Sequence, residues 1–117
     1  MLSLKVNYPN ESDKILSDPT QPGSDIYLHG GCQTTGCIPI TNSKIQELYL
    51  LAVEAHEEGK SIPIHIFPTK NWKKLLEKSS KNMEFWKNLK EGFDHFEKYH
   101  TLPEVKVLTN GFYQFNN

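Results

Sequence analysis

The protein has 117 residues, of which 37% are hydrophobic and 23% are charged, and its formal net charge at pH 7 is -1. This composition is typical of one soluble globular domain. A chain of this length needs no disulfide framework to fold, and it contains no apolar run approaching the ~20 residues of a membrane span. The first residues, Met1 to Asn7, lack the basic start and long apolar stretch of a signal peptide.

The charge also argues against nucleic acid as a partner, because phosphate binding normally requires a basic excess or a basic face. All 13 basic residues are Lys and none is Arg. The chain therefore has no guanidinium group for a bidentate grip on a carboxylate, a phosphate or a guanine edge.

The first third of the chain alternates apolar and polar residues in two places. The segments Leu2–Val6 and Asp25–His29 both have the period of a half-buried strand, and the second strand ends at Gly30-Gly31. Alternation puts Tyr27 and His29 on the same face of that strand. The polar segment between the two, Glu11–Ser24, is predicted to be a surface loop with at most a short helical turn.

The middle of the chain predicts a loop, a helix and a strand. Small residues occupy Cys32–Pro39, and a capping box formed by Ser43 and Gln46 predicts a helix that runs to about Glu58, with Gly59 as its left-handed cap. The segment Ser61–Phe67 is predicted to be a strand. Its Pro63 indicates either the start of a strand or a strand at the edge of a sheet.

The last third predicts helices followed by a hairpin. From Asn71 onward, apolar and aromatic residues recur at helical spacing with interruptions around Ser79-Ser80 and at Gly92, which indicates two or three amphipathic helices. The aromatic stripe is interpreted as core rather than as a ligand site. Two strand-like segments then flank Asn110-Gly111, a strong hairpin signal.

One loop contains the residues that could carry chemistry. His29 leaves a strand, Gly30 and Gly31 allow the backbone to approach a ligand, and Cys37 follows Gly36 ahead of a helix. A nucleophilic thiol needs a nearby imidazole and free backbone amides for an oxyanion. Cysteine–histidine catalysis is therefore one interpretation, and an inert, small hydrophobic cysteine is the other.

Two further interpretations of the same residues were weighed. A zinc site formed by His29, Cys32, Cys37 and His65 is disfavoured because their spacing matches no usual structural zinc pattern. A Cys32–Cys37 disulfide is compatible with an oxidising compartment and would disable the nucleophile. His65 could line the cleft or be a structural histidine. The remaining histidines, on predicted helical or turn surfaces, are assigned no role.

Three separated segments of the chain match the sequence pattern of a known protein family. These segments are His29-Gly30-Gly31-Cys32-x-Thr34-x-Gly36-Cys37-Ile38-Pro39-Ile40-Thr41, Ile62–Pro68, and Phe85–Asp94 with Phe96–Lys98. They occur in order over nearly the whole chain, and they closely resemble the catalytic domain of the L,D-transpeptidases (YkuD-like), in its YafK-like murein branch. The resemblance implies an α+β fold with a mixed β-sheet and peripheral helices.

The resemblance also implies an activity on peptidoglycan stem peptides. Cys37 would form a thioester and His29 would act as base and then as acid, while backbone amides around Gly36, with Gly30 and the loop residues Thr34 and Thr35, would hold the oxyanion. Cys32 and Tyr27 would line the cleft, as would His65 if it is not structural. No metal or other cofactor is implied, and an envelope lipoprotein and a periplasmic location are expected from the family.

The chain departs from the wider family at three points. Thr34-Thr35 stands where the family has Ser-His, so the family's second histidine is missing, and Ile38-Pro39 stands where the family has an Ile-Arg pair, which removes a carboxylate-binding group. The family domain also begins with additional strands. We therefore expect residues 1–117 to be a single catalytic domain that lacks N-terminal strands and exposes a sheet edge available for self-association. The alternative function is a catalytically silent domain that binds peptidoglycan or a protein partner through that edge.

Overall fold

A computed structural model of the protein describes residues 2–18, 20, 23, 25–31, 36–78 and 81–116. The helices and strands, in chain order, are β1 (Ser3–Val6), α1 (Glu11–Leu16), β2 (Ile26–His29), β3 (Ile38–Pro39), α2 (Asn42–Glu57), α3 (Trp72–Lys78), α4 (Met83–Tyr99), β4 (Glu104–Val107) and β5 (Tyr113–Asn116). The predicted α+β fold is thus confirmed. Two compact units are present: Met1–Tyr8 with Pro22–His65, and Pro9–Gln21 with Ile66–Asn117.

The first unit contains a mixed three-stranded sheet in the order β1-β2-β3. β1 and β2 are antiparallel, with Lys5 opposite Tyr27 and Ser3 opposite His29. β2 and β3 are parallel, and Pro39 is the partner of His29. Both strands predicted near the N-terminus are therefore present, whereas β3 lies inside a segment predicted to be a loop.

The two faces of this sheet differ in chemistry. Side chains alternate across a strand, so the apolar residues Leu4 and Leu28 share one face while Lys5 and Tyr27 share the other. Gly30 is two residues after Leu28, so it lies on the apolar face, where the first residue of α2 approaches it. Ile45 of α2 is only 2% exposed. Helix α2 therefore packs on the apolar face of β1 and β2 and not on their polar face.

Helix α2 begins differently from the sequence prediction. It starts at Asn42, and its N-cap is Thr41, whose side chain makes no capping hydrogen bond. The predicted Ser43–Gln46 capping box is thus wrong, because the helix begins one residue before Ser43. Thr41 also has φ 73°, in the left-handed region that β-branched residues rarely adopt. The predicted cap at Gly59, with φ 73°, agrees with the structure.

The strand predicted at Ser61–Phe67 is absent, since this segment has no regular secondary structure. Its alternating isoleucines, Ile62, Ile64 and Ile66, are about half exposed. The alternation signals a half-buried strand only when a neighbouring strand supplies hydrogen bonds, and neither described sheet includes this segment. The predicted strand at Ser61–Phe67 is therefore wrong, and this segment forms no described sheet with Asp25–His29.

The second unit contains an aromatic core. Trp72 on α3 is 4% exposed, and its ring packs against Phe67 and Phe93 at centroid distances of 6.3 and 5.4 Å. Gly92 does not interrupt α4; a Cβ there would lie 2.6 Å from the Phe115 ring. A position predicted to be a helix break is thus a close contact between α4 and β5.

The hairpin and α1 complete this unit. β4 and β5 are antiparallel, as the Asn110-Gly111 signal predicted. Helix α1, six residues long, lies in the segment predicted to be a surface loop with at most a short helical turn, and Asn10 and Asp13 form its capping box. Ser12, 1% exposed, donates a hydrogen bond to the Gly111 carbonyl (2.5 Å). No helix in the described ranges has the length and apolar character needed to cross a membrane.

Candidate active site

His29 is the last residue of β2, and its ring is held by the backbone that follows it. The Nδ1 atom lies 2.6 Å from the Gly30 carbonyl oxygen. Because a carbonyl only accepts, Nδ1 carries the proton in this hydrogen bond, and the neutral ring then has Nε2 as its unprotonated nitrogen. This is the arrangement that a general base requires.

Gly30 is buried, and its position is set by the first residue of α2. A Cβ on Gly30 would lie 3.3 Å from the Cα and Cγ of Asn42, and closer still to Oδ1 of that side chain. Glycine therefore permits the close approach of α2 to the end of β2. The carbonyl that accepts from His29 belongs to this tightly packed residue.

Cys37 immediately precedes β3 and is half-buried. It follows Gly36, which has φ 96°, a backbone conformation that disfavours any residue with a side chain. The Cys37 Sγ atom lies 3.9 Å from the carbonyl oxygen of Asp25, to which the thiol donates. β3 separates Cys37 from α2, so the helix field, which is strong only near the first turn, is a weaker argument than the sequence suggested.

The pairing of β2 with β3 brings Cys37 and His29 onto neighbouring strands. Pro39 is the partner of His29, and Cys37 is two residues before Pro39. Strand spacing and rise put the Cα atoms of His29 and Cys37 about 8 Å apart. Their side chains bond near opposite ends of β2: Cys37 to Asp25 and His29 to Gly30.

Backbone hydrogen bonds tie both ends of the loop together. The amide of Ile40 donates to the His29 carbonyl (2.9 Å), and the amide of Thr41 donates to the Gly31 carbonyl (2.9 Å). The carbonyl of Thr41 accepts from Ile45 in α2. The strained Thr41 thus connects the end of β2 with the start of the helix, which limits movement of His29.

Lys5 and Asp25 are neighbours of this site that the sequence analysis missed. Lys5 is opposite Tyr27 across β1 and β2, and its Nζ lies 3.4 Å from Oδ2 of Asp25. The Lys5 and Asp25 side chains are 56% and 58% exposed. The alternation of Ser3-Leu4-Lys5 was visible in the sequence, but only the strand register shows which residue Lys5 faces.

The structure describes some of the other predicted site residues. Tyr27 is half-buried and shares a face with His29. His65 lies in the irregular segment rather than on a strand, and partial burial lowers its pKa from the usual 6.5. Cys32, Thr34 and Thr35 lie outside the described residues.

Metal ligands were sought among the described parts of the chain. These parts contain no group of three or more His, Cys, Asp or Glu residues arranged to hold a metal ion. The zinc set weighed from the sequence includes Cys32, which is outside the described ranges.

Comparison with known proteins identifies the relatives of this chain. No family model matches it. Two curated proteins, from Escherichia coli K12 and Escherichia coli O157:H7, are each named "Putative L,D-transpeptidase YafK" and are 31% identical to it over 116 residues. The match covers 95% of this chain and 45% of each relative, so the chain spans about half their length. The chain is therefore a YafK-like, L,D-transpeptidase-related domain, as its motifs predicted.

Proposed function

We propose that this domain catalyses cysteine-dependent acyl transfer or hydrolysis on peptidoglycan stem peptides through a thioester at Cys37. The proposal includes residues 1–117 as one catalytic domain. The observation that carries it is the pairing of β2 with β3, because this pairing holds the strand of His29 beside the residue that follows Cys37. The relationship to proteins named as L,D-transpeptidases supports the substrate class.

The first half-reaction transfers an acyl group to sulfur. His29 Nε2 takes the Cys37 thiol proton, and Sγ attacks the carbonyl carbon of the stem peptide. Backbone amides around Gly36 and Cys37, together with Gly30, Thr34 and Thr35, stabilise the oxyanion. The C–N bond breaks as His29 returns the proton to the leaving amine, and the thioester remains.

The second half-reaction decides the outcome. An amine that attacks the thioester gives a new peptide cross-link, and water gives hydrolysis. In both cases His29 takes the proton of the attacking group and the Cys37 thiol is regenerated. The reaction as written uses no cofactor. Tyr27, His65 and Cys32 belong to the proposed cleft wall, and they take no part in bond making.

The proposed setting follows from the same relationship. Peptidoglycan stems lie in the bacterial cell envelope, so we place the activity in the periplasm, with an envelope lipoprotein as a further substrate. We also expect two copies to associate through β1, an edge strand of the described three-stranded sheet. The alternative function is a catalytically silent domain that binds peptidoglycan or a protein partner through such an edge.

Labelling with a carbapenem, which acylates many family members, tests the proposal directly. The wild-type protein should gain the mass of one carbapenem at Cys37, Cys37→Ala should gain none, and Cys32→Ala should be labelled at a rate within a few-fold of wild type under reducing conditions. His29→Gln should fold normally and react orders of magnitude more slowly. Equal loss of labelling in both cysteine variants would contradict the assignment of the nucleophile.

Incubation with muropeptides tests the reaction itself. Mass spectrometry should detect new cross-links or shortened stems with the wild-type protein and neither with Cys37→Ala. A protein that binds peptidoglycan but gives neither product would support the silent binding domain instead.

A further inference from the structure

One residue, Asp25, connects a cation to the candidate nucleophile. Its carboxylate contacts the Lys5 ammonium at 3.4 Å, and its backbone carbonyl lies 3.9 Å from the Cys37 sulfur. The ammonium and the thiol therefore contact opposite ends of the same residue. Asp25 thus links Lys5 to Cys37, in a chain that contains no arginine.

The strand register adds His29 to this group. Lys5 is opposite Tyr27, and His29 is two residues further along β2, so alternation places all three on the polar face of the sheet. Helix α2 covers the other face, where Gly30 contacts Asn42. Lys5 is thus on the face that carries the proposed base, on the strand that pairs directly with β2.

The ion pair of Lys5 is easily exchanged. Its two side chains are more than half exposed, at 56% and 58%, and exposed pairs of this kind contribute only about 0–1 kcal/mol. A carboxylate on a bound molecule can therefore replace Asp25 as the partner of Lys5 at little cost. Nothing in the sheet has to move for this exchange, because Lys5 has a long, flexible side chain.

We propose that Lys5 binds a carboxylate of the peptide substrate beside Cys37 and thereby selects acidic stem peptides as acyl donors. This inference rests on the proposed function, and it makes Lys5 a specificity-determining residue rather than an acid or base. In the absence of substrate the Asp25 carboxylate pairs with the Lys5 ammonium, and it competes with the substrate carboxylate for that ammonium.

Another lysine of the same unit, Lys44, serves as the comparison. Lys44 pairs with Glu47 on α2 at 3.3 Å, with both side chains 68% exposed. It therefore has a similar exposed ion pair but lies on a helix that covers the opposite face. Lys44→Met is the matched control for Lys5→Met, since both remove one exposed positive charge.

The experiment uses two synthetic tetrapeptide stems that differ in one group. Their diamino acid ends its side chain in a carboxylate in one peptide and in a carboxamide in the other. Binding to the Cys37→Ala protein is measured by calorimetry, and acylation of the otherwise unaltered protein is measured by mass spectrometry. We expect a preference of about a few-fold for the carboxylate peptide, because an ion pair with an exposed lysine contributes about 0–1 kcal/mol.

The Lys5 variants then test the residue. Lys5→Met should reduce the preference to about one, with no change for the carboxamide peptide, while Lys5→Arg and Lys44→Met should keep it. Asp25→Asn should increase affinity for the carboxylate peptide by a few-fold. If Lys5→Met keeps the full preference while the wild-type protein still forms a thioester, the inference about Lys5 is wrong and the proposed function stands. If no thioester forms with either peptide, both fail.

Discussion

Substitution of Gly30 by alanine probes the contact that supports the candidate base. The added Cβ would lie 3.3 Å from the Cα of Asn42, and closer to its side-chain oxygen. The Asn42 side chain can rotate away, but its Cα belongs to the first residue of α2 and has to shift. Overpacking of this kind costs about 1–3 kcal/mol in the free energy of unfolding.

A double-mutant cycle separates this clash from other effects. Asn42→Ala removes the side-chain part of the contact, so Gly30→Ala should cost less in that background, with a coupling of at least about 0.5 kcal/mol. Gly31→Ala is the matched control. Within the described part of the chain, no atom beyond its immediate chain neighbours lies within 4 Å of the Gly31 Cβ position, but its φ of 79° should cost about 1–2 kcal/mol that Asn42→Ala does not recover.

Urea unfolding followed by circular dichroism measures the free energy of unfolding of wild type, of the single and double variants of the cycle, and of the Gly31→Ala controls. The rate of carbapenem labelling measures the functional consequence, because the Gly30 carbonyl accepts the hydrogen bond from His29. Gly30→Ala should therefore slow labelling of Cys37 as well as reduce stability. A Gly30→Ala protein as stable as wild type, or a coupling of zero with Asn42→Ala, would refute the packing argument.

Four further predictions concern substitutions elsewhere in the chain. Thr41→Gly should leave the urea midpoint unchanged or raise it, because the strained φ of 73° is relieved and no side-chain cap is lost; a loss above about 1 kcal/mol would contradict this. Trp72→Ala should cost about 3–5 kcal/mol and Trp72→Phe much less, since the buried Trp72 Nε1 makes no hydrogen bond to any described residue. Equal losses in thermal unfolding would disprove the distinction. Gly92→Ala should destabilise the protein although alanine favours helices, because the Phe115 ring occupies the position of the new Cβ. Phe115→Leu should recover part of the lost stability. A Gly92→Ala protein more stable than wild type would contradict this prediction. Burial lowers the pKa of His65 below 6.5, so the unfolded state binds more protons than the folded state. The free energy of unfolding should therefore fall as the pH drops through and below 6.5. Urea titrations across that pH range should show a weaker dependence for His65→Gln.

Local patterns predicted much of the fold, and they indicated the two candidate catalytic residues, whose role stays a prediction. The alternation of Leu2–Val6 and Asp25–His29 is a short-range property, and both strands formed at β1 and β2. The aromatic stripe and the Asn110-Gly111 turn likewise led to α4 and the hairpin. Cys37 and His29 were selected from the motif around them, because glycines and a strand end are visible in the sequence.

Contacts between distant residues decided the rest. The alternating isoleucines of Ser61–Phe67 predicted a strand, but a strand needs a neighbour, and no local pattern shows whether one is available. Gly92 was interpreted as a break because glycine disfavours helices, whereas the Phe115 ring, brought there by the hairpin, occupies the space beside it. In each case local preference was the weaker effect.

The surroundings of the candidate site depended on register above all. The sequence by itself determined which side chains share a face within one strand, because alternation is a property of the strand. Only the tertiary structure decided that Lys5 lies opposite Tyr27, and that α2 begins against Gly30. Pairing register depends on turns and packing outside the strand, and a shift of one residue would have moved Lys5 to the face covered by α2.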